Sequence, residues 1–91
     1  MTCHCLHAIT IDDERYPGKS ADVLAWDLVT SATAWTTTLL LRGADGQYVV
    51  HEHLSPSGDD CLTGIDGEVA RTLYRRMRMH IIPFEEVQSV A

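Results

Sequence analysis

The segment WTTTLLLRGADGQYVVHEHL, residues 35–54, constrains the fold of this 91-residue chain more than any other. Two runs rich in β-forming residues flank the short segment Ala44-Asp45-Gly46. A tight turn between antiparallel strands needs a residue with positive φ, which glycine adopts without steric cost, so we predict a β-hairpin with Gly46 in its turn. The sequence leaves the register open, because a two-residue turn and a three-residue turn with a bulge would send different leucines of the first strand to the core.

An amphipathic helix is predicted over residues 66–80. Asp66 is a favourable N-cap residue, and Pro83 is expected to end the helix because proline lacks a backbone N–H. Apolar residues recur at four-residue steps along one face, with Ala70 and Tyr74 beside them: Val69, Leu73, Met77 and Ile81. The arginines fall on the outer face, so we expect Leu73 to face the core.

Residues 20–33 fit two structures. A helix capped by Ser20 would carry an apolar stripe, but it would leave Val23 and Trp26 exposed on the opposite side. A strand would place Leu24, Trp26 and Leu28 on one face and leave no large residue exposed. The threonine-rich continuation also favours β-structure, so we favour the strand.

The other segments complete a single domain over residues 1–91. Residues 3–11 alternate as a strand does, a charged segment with a Pro-Gly turn follows, and residues 55–64 indicate a polar loop. Residues 84–90 indicate either a short strand or a short helix. The predicted fold class is α+β, with a small antiparallel sheet of three to five strands and one helix from the C-terminal half packed on a face. The alternative is a ferredoxin-like βαββαβ arrangement, with residues 20–33 as its first helix.

Composition excludes several classes of function. The net charge is −6, and nucleic-acid binding needs a basic footprint that the chain as a whole lacks. No apolar run is long enough to span a bilayer, and the N-terminus shows neither the basic nor the apolar region of a secretory signal. Three cysteines permit at most one disulfide, so we expect a cytoplasmic protein without a disulfide scaffold.

Cysteine and histidine residues raise the question of a metal site. Alternation places Cys3, Cys5 and His7 on one face of the first strand, and it places His51 and His53 on one face of the hairpin. Five ligands would converge if these two strands paired. However, C-x-C on an extended strand does not easily wrap a tetrahedral ion, and compact zinc modules use C-x₂₋₄-C spacing. We therefore predict no metal and no cofactor, with a metal-binding or redox protein built on these five residues as an alternative.

No catalytic motif survives inspection. The segment His51-Glu52-His53 differs from H-E-x-x-H, which needs a helix, because on a strand Glu52 points away from both histidines. Cys61 has no signature of a nucleophile around it, and the N-terminal C-x-C is not the redox motif C-x-x-C. We therefore predict that the chain is not an enzyme.

The charge is unevenly distributed along the chain. Nine of the thirteen acidic residues but only three of the seven lysines and arginines precede residue 63. Acidic loops beside exposed aromatic side chains suit a basic protein surface, including one that normally holds nucleic acid. The predicted partner-binding residues are Asp12, Asp13, Glu14, Trp26, Asp59 and Asp60.

The hairpin and the helix behind it resemble a pattern in short uncharacterised bacterial and mobile-element proteins, with a Trp-Thr-x-Thr-Leu strand, a turn with Gly, a Gly-x-Tyr strand and a helix. The matching residues are Trp35, Thr36, Thr38, Leu39, Gly46, Tyr48 and Glu68. The resemblance implies an antiparallel sheet with one helix and no catalytic residues.

In kind, the chain also resembles phage-encoded inhibitors of the anti-CRISPR type, which are short, acidic and single-domain. We therefore expect a non-enzymatic protein-binding module that occludes a basic, nucleic-acid-binding surface of a partner such as a CRISPR effector complex, in the host cytoplasm if the chain is phage-encoded. We expect neither direct nucleic-acid binding nor a membrane. A homodimeric structural or interaction protein is a further alternative.

Overall fold

The computed structural model describes residues 9–84, which form a six-stranded antiparallel sheet with one helix. The strands are β1 (Ile9–Asp12), β2 (Ser20–Thr30), β3 (Trp35–Gly43), β4 (Tyr48–Ser55), β5 (Asp60–Ile65) and β6 (Met79–His80), and the helix α1 spans Gly67–Arg76. Strands β1 to β5 lie side by side in sequence order, and β6 pairs with β2.

The antiparallel sheet with one helix agrees with the predicted α+β class, but the number of strands exceeds the predicted three to five. The second half of the predicted polar loop forms β5, which pairs along β4 from Asp60 to Ile65. The short strand β6 lies inside the segment that was predicted to be helical. The ferredoxin-like alternative is wrong, because Ser20–Thr30 is a strand.

The hairpin of β3 and β4 has the predicted turn. Gly46 has a φ of 89°, as expected for a glycine in such a turn. The Gly43 N–H donates to the Gln47 carbonyl at 2.7 Å, and the Gly46 N–H donates to the Gly43 carbonyl at 2.9 Å, so the turn contains three residues. This turn fixes the register that the sequence left open, with these partners: Leu39 with His51, Leu40 with Val50, and Leu41 with Val49.

A β-bulge interrupts β2. Its register against β3 shifts between Val23 and Ala25, so Leu24 points to the side of the sheet that carries α1, where it is fully buried. Trp26 and Leu28 point to the opposite side. The prediction that Leu24, Trp26 and Leu28 share a face is therefore wrong. The carbonyl of Leu24 accepts from the backbone N–H groups that follow β6, at 2.8 and 3.2 Å, so the bulge fastens this segment to the sheet.

The sheet is packed on both faces. The helix face, which carries α1, buries one cluster: Leu24, Ala25, Leu40, Ala70, Met77 and Phe84. The opposite side, called here the open face, buries a second cluster: Tyr16, Ala21, Val23, Leu41 and Val49. The loop of residues 13–19 covers this second cluster, with Tyr16 at 3% exposure, and Ile81 also packs against it.

The loop approaches the hairpin turn closely at Gly18. A Cβ at this position would lie 2.8 Å from the Cβ of Ala44, and Gly18 has a φ of 74°. Both facts require glycine, so the Pro-Gly turn predicted from the sequence is the point where the loop bends onto the sheet.

The helix α1 agrees with the prediction at its start and differs at its end. Asp66 is the N-cap and accepts the Val69 N–H at 2.8 Å. The helix ends at Arg76 instead of residue 80, because Met77 adopts an extended conformation with ψ of 149°, so Pro83 plays no part in ending it. In residues 9–84, no helix is long and apolar enough to cross a membrane.

The core face of α1 is one side of the predicted apolar face, the side with Ala70 and Tyr74. Ala70 is fully buried and Tyr74 packs against the helix-face cluster, whereas Val69 is 44% exposed and Leu73 is only half-buried. The small side chain of Ala70 lets the helix backbone approach the sheet closely. Leu73 is absent from the buried cluster, so the expectation that it faces the core is wrong.

Candidate functional site

Three polar side chains meet on the open face where β4 and β5 pair. His51 and His53 point to this face from β4, as the strand alternation predicted, and Asp60 lies opposite His53 on β5. The Asp60 Oδ1 atom lies 2.6 Å from His53 Nδ1 and 3.1 Å from His51 Nε2. Glu52 lies between the two histidines on β4, so its side chain points to the other side of the sheet, as predicted, together with its partners Thr38 and Cys61.

Tyr16 closes the other end of this network. Its hydroxyl lies 2.5 Å from the Nδ1 atom of His51, and its ring meets the imidazole edge-on at 65°. Because the carboxylate of Asp60 accepts hydrogen bonds from both histidines, neutral His51 carries its proton on Nε2 and leaves Nδ1 as an acceptor for Tyr16. In this arrangement each nitrogen of the His51 ring has a partner, Asp60 at Nε2 and Tyr16 at Nδ1.

Arg15 joins the same network to the loop. It forms a two-pronged ion pair with Asp13, with Nη2 to Oδ2 at 2.7 Å, and its Nη1 atom lies 3.5 Å from Asp60 Oδ2. Hydrogen bonds from Arg15 lower the pKa of Asp13 from 3.8 to about 2. Hydrogen bonds from His53 and His51 lower the pKa of Asp60 from 3.8 to about 2 as well. Both carboxylates are thus held ionised as part of the loop attachment.

The network joins the loop of residues 13–19 to strands β4 and β5. Tyr16 is buried, and this burial raises the pKa of its hydroxyl, so the hydroxyl is neither reachable by a substrate nor ionised near neutral pH. Among residues 9–84, no group of three or more histidine, cysteine, aspartate or glutamate side chains is arranged to hold a metal ion. The polar cluster therefore fastens residues 13–19 over the open face.

A second feature lies where β2 ends, β3 begins and β4 ends. We call this part of the sheet, residues 28–30, 35–37 and 53–55, the distal end. Six large apolar side chains are exposed in the described part of the chain, and four of them lie here: Leu28 (42% exposed), Val29 (63%), Trp35 (47%) and Leu54 (41%). Leu28 and Trp35 are on the open face, and Val29 and Leu54 are on the helix face, beyond the reach of α1.

Acidic residues surround the distal end. The segments 27–37 and 52–60 contain Asp27, Glu52, Asp59 and Asp60, and they contain no lysine or arginine. Two arginines approach from elsewhere in the described chain: Arg15 Nη1 lies 3.5 Å from Asp60 Oδ2, and Arg78 Nε, on a side chain that is 82% exposed, lies 3.9 Å from Asp27 Oδ1. The distal end thus combines an apolar surface with a negative border.

The structure divides the predicted partner-binding residues into three groups. Asp13 and Asp60 come together through Arg15 and belong to the loop attachment, which the sequence did not reveal. Asp12, Glu14 and Asp59 are exposed. Trp26 is half-buried in a row that crosses the open face, made of Met79, Trp26, Leu39, His51 and Leu62.

Sequence reasoning missed the apolar residues of the distal end. Strand ends that no helix covers expose apolar side chains on both faces. The sequence contains these residues but does not show how much of the sheet α1 covers, because that depends on where α1 ends and how it crosses the strands. The predicted ligands Cys3, Cys5 and His7 lie outside the described residues. The strand that follows them, β1, pairs with β2 and not with β4, so the pairing that the five-ligand site required does not occur in residues 9–12.

Comparison with known proteins identifies no relative of this chain: no family model matches it, and no significant match was found among curated proteins or solved structures.

Proposed function

We propose that this chain is a non-enzymatic protein-binding module that covers a basic surface of a partner with the distal end of its sheet. The observation that carries the proposal is the concentration of four exposed apolar side chains at that end, bordered by acidic residues. Clustered apolar surface with a polar rim is typical of a protein interaction site, whereas single exposed apolar residues are ordinary.

The composition of the distal end suits an interface anchor. Trp35 is the kind of large amphipathic residue that supplies much of the binding free energy when it enters a pocket of a partner. Leu28 beside it, and Val29 and Leu54 on the reverse side, allow the end of the sheet to insert into a cleft and contact both of its walls. This geometry makes Trp35, more than the half-buried Trp26, the central anchor.

The charge of the distal end favours a basic partner. Glu52 and Asp59 are not held in ion pairs within the described chain, and they flank the apolar residues. Opposite charge across an interface raises the association rate and disfavours partners of the same sign. A surface that normally holds nucleic acid is basic. We therefore propose a nucleic-acid-handling complex in the cytoplasm as the partner, with this chain as its inhibitor, of the anti-CRISPR kind.

The proposal is tested first by locating the contact. A photo-crosslinking amino acid in place of Trp35 should capture a basic partner, and the same amino acid in place of Asp45, in the hairpin turn at the opposite end of the sheet, should not. Association and dissociation rates with the captured partner then separate the two contributions. Trp35→Ala should speed dissociation and weaken the Kd by about 30-fold or more, the effect of losing an anchor residue.

The charge contribution has its own control. Glu52→Lys together with Asp59→Lys should slow association and flatten its dependence on salt, because exposed charges act mainly on the rate of encounter. Asp45→Lys changes the net charge in the same direction at the far end and should have a smaller effect. Unchanged rates for Trp35→Ala, or equal effects of the lysine variants at both ends, would refute the proposed contact surface.

A further inference from the structure

The strand β5 is an edge of the sheet that lacks lysine, proline and a bulge, three of the usual protections against pairing. It is last in the strand order and has no second neighbour within residues 9–84. Its six residues pair with β4 without a register shift, and its sequence DCLTGI contains no lysine and no proline. Its one charged residue, Asp60, stands at the start of the strand. Natural sheets usually block an edge with lysine, proline or a bulge, and a regular edge strand without them readily accepts another strand.

The hydrogen bonds define which backbone groups of β5 face outward. The Leu54 N–H donates to the Asp59 carbonyl at 2.9 Å, so these two residues form a hydrogen-bonded pair at the start of the β4–β5 ladder. Such pairs alternate along antiparallel strands, so Cys61, Thr63 and Ile65 bond inward to β4. The N–H and C=O groups of Asp60, Leu62 and Gly64 therefore point to the free edge.

These outward groups are complementary to a second copy of themselves. When two β5 strands run antiparallel with Leu62 opposite Leu62 of the second copy, Asp60 stands opposite Gly64, and each of the three outward residues meets another outward residue. A shift by two residues in either direction leaves at least one of them without a partner. In this register no two like charges are opposite, and the missing side chain at Gly64 leaves room for Asp60, because a Cβ there would have no atom within 4 Å.

We propose that two copies of this chain join along β5 in this register, so that their sheets form one continuous antiparallel sheet. The two-fold axis passes between the paired Leu62 residues, perpendicular to the sheet, and the open faces of both copies lie on the same side. The two distal ends then point in opposite directions, so the dimer presents two copies of the proposed binding surface. The dimer does not depend on the proposed function, because β5 variants leave the exposed residues of the distal end unchanged.

The first experiment changes one position in two opposite ways. Gly64→Asp places a carboxylate opposite Asp60 of the other copy at two symmetric contacts, whereas Gly64→Lys places an ammonium group there. Opposite and like charges across a strand pair have effects of opposite sign, so the dissociation constants of the two dimers should differ by about tenfold or more. Mass measured by light scattering or sedimentation over a range of concentrations should show a dimer for the natural chain, a weaker dimer for Gly64→Asp and a retained dimer for Gly64→Lys.

The second experiment tests the register directly. Cys61 stands opposite Thr63 of the second copy, in a pair whose Cα atoms are about 4.5 Å apart, within the range that a disulfide spans. In a chain that also carries Cys3→Ser and Cys5→Ser, Thr63→Cys should form disulfide-linked dimers under mild oxidation. Thr72→Cys, on the exposed side of α1, should not form them in the same background.

Several outcomes would overturn the proposal. A monomeric mass for the natural chain at every accessible concentration would do so, and so would equal dimer stability for Gly64→Asp and Gly64→Lys, or cross-linking of Thr72→Cys as efficient as that of Thr63→Cys. A monomer whose affinity for a partner protein changes with Gly64→Asp would mean that β5 receives a strand of that partner instead of a second copy.

Discussion

Tyr16 offers the sharpest test of how the loop of residues 13–19 is held on the sheet. Its ring is 3% exposed and packs against the open-face cluster, and its hydroxyl bonds to His51. Two substitutions separate these contributions. Tyr16→Phe removes the hydroxyl and keeps the ring, whereas Tyr16→Ala removes both.

The structure sets the size of each effect. Loss of a hydrogen bond between two neutral groups costs about 1 kcal/mol of unfolding free energy, and the cost persists here because His51 Nδ1 loses its donor while the His51 side chain is only 13% exposed. Loss of a buried aromatic ring costs about 3–5 kcal/mol. In a domain of this size, 1 kcal/mol corresponds to about 4–8 °C in Tm, so Tyr16→Phe should lower the Tm by that amount and Tyr16→Ala by several times more.

Urea denaturation of the natural chain and both variants measures these free energies. In a background of His51→Leu, Tyr16→Phe should cost less than it does alone, because the partner of the hydroxyl is already gone. A Tyr16→Ala variant within about 1 kcal/mol of the natural chain would contradict the burial of Tyr16. An equal cost of Tyr16→Phe in both backgrounds would contradict the hydrogen bond.

Three further predictions follow from the fold. Ala70→Asp should unfold the domain because it buries a charge without a partner, while Leu73→Asp should cost only about 1–2 kcal/mol at its half-buried position, as measured by thermal melting. Gly46→Val should cost about 1 kcal/mol or more, because a β-branched residue resists the positive φ of the turn, and a Tm equal to that of the natural chain would count against that turn. Because the pKa values of Asp13 and Asp60 are depressed from 3.8 to about 2 in the folded state, their contribution to stability is complete above pH 4 and should be lost as the pH falls towards 2, and Asp13→Asn should reduce this loss.

Local chemistry made part of this fold predictable. The turn at Gly46 and the cap at Asp66 each depend on a few adjacent residues, and both are confirmed. A strand was favoured over residues 20–30 because a helix would expose Trp26, a comparison that needs only the residues of that segment. This strand is also confirmed. Such features depend on backbone geometry and hydrogen bonds between residues that are a few positions apart in the sequence.

The incorrect predictions depend on contacts between distant segments. The bulge at Leu24 arises where β2 pairs with β3 on one edge and accepts the segment after β6 on the other, and alternation alone does not reveal it. The helix α1 packs through Ala70 and Tyr74 and leaves Val69 and Leu73 at the edge of the contact. The apolar periodicity contained all four residues and does not show which side meets the sheet. The candidate site shows the same limit, because Arg15 and Tyr16 meet Asp60 and His51 across more than thirty residues of sequence.

Some acidic residues hold the loop of residues 13–19 and others form no ion pair in the described chain, and this difference decides which of them can be replaced to test binding. A charge that is paired at close range contributes little field at the distance of an approaching partner, because its counter-charge cancels it there. Asp13 and Asp60 share the positive charge of Arg15, which cancels part of their field, and both hold the loop of residues 13–19. Their replacement by lysine would therefore release the loop and uncover the apolar cluster under Tyr16. Weaker binding after such a replacement would report a damaged fold, whereas the same replacement at Glu52 and Asp59 changes the field at the distal end and leaves the loop attached. Electrostatic steering is therefore tested by lysine substitutions at Glu52 and Asp59.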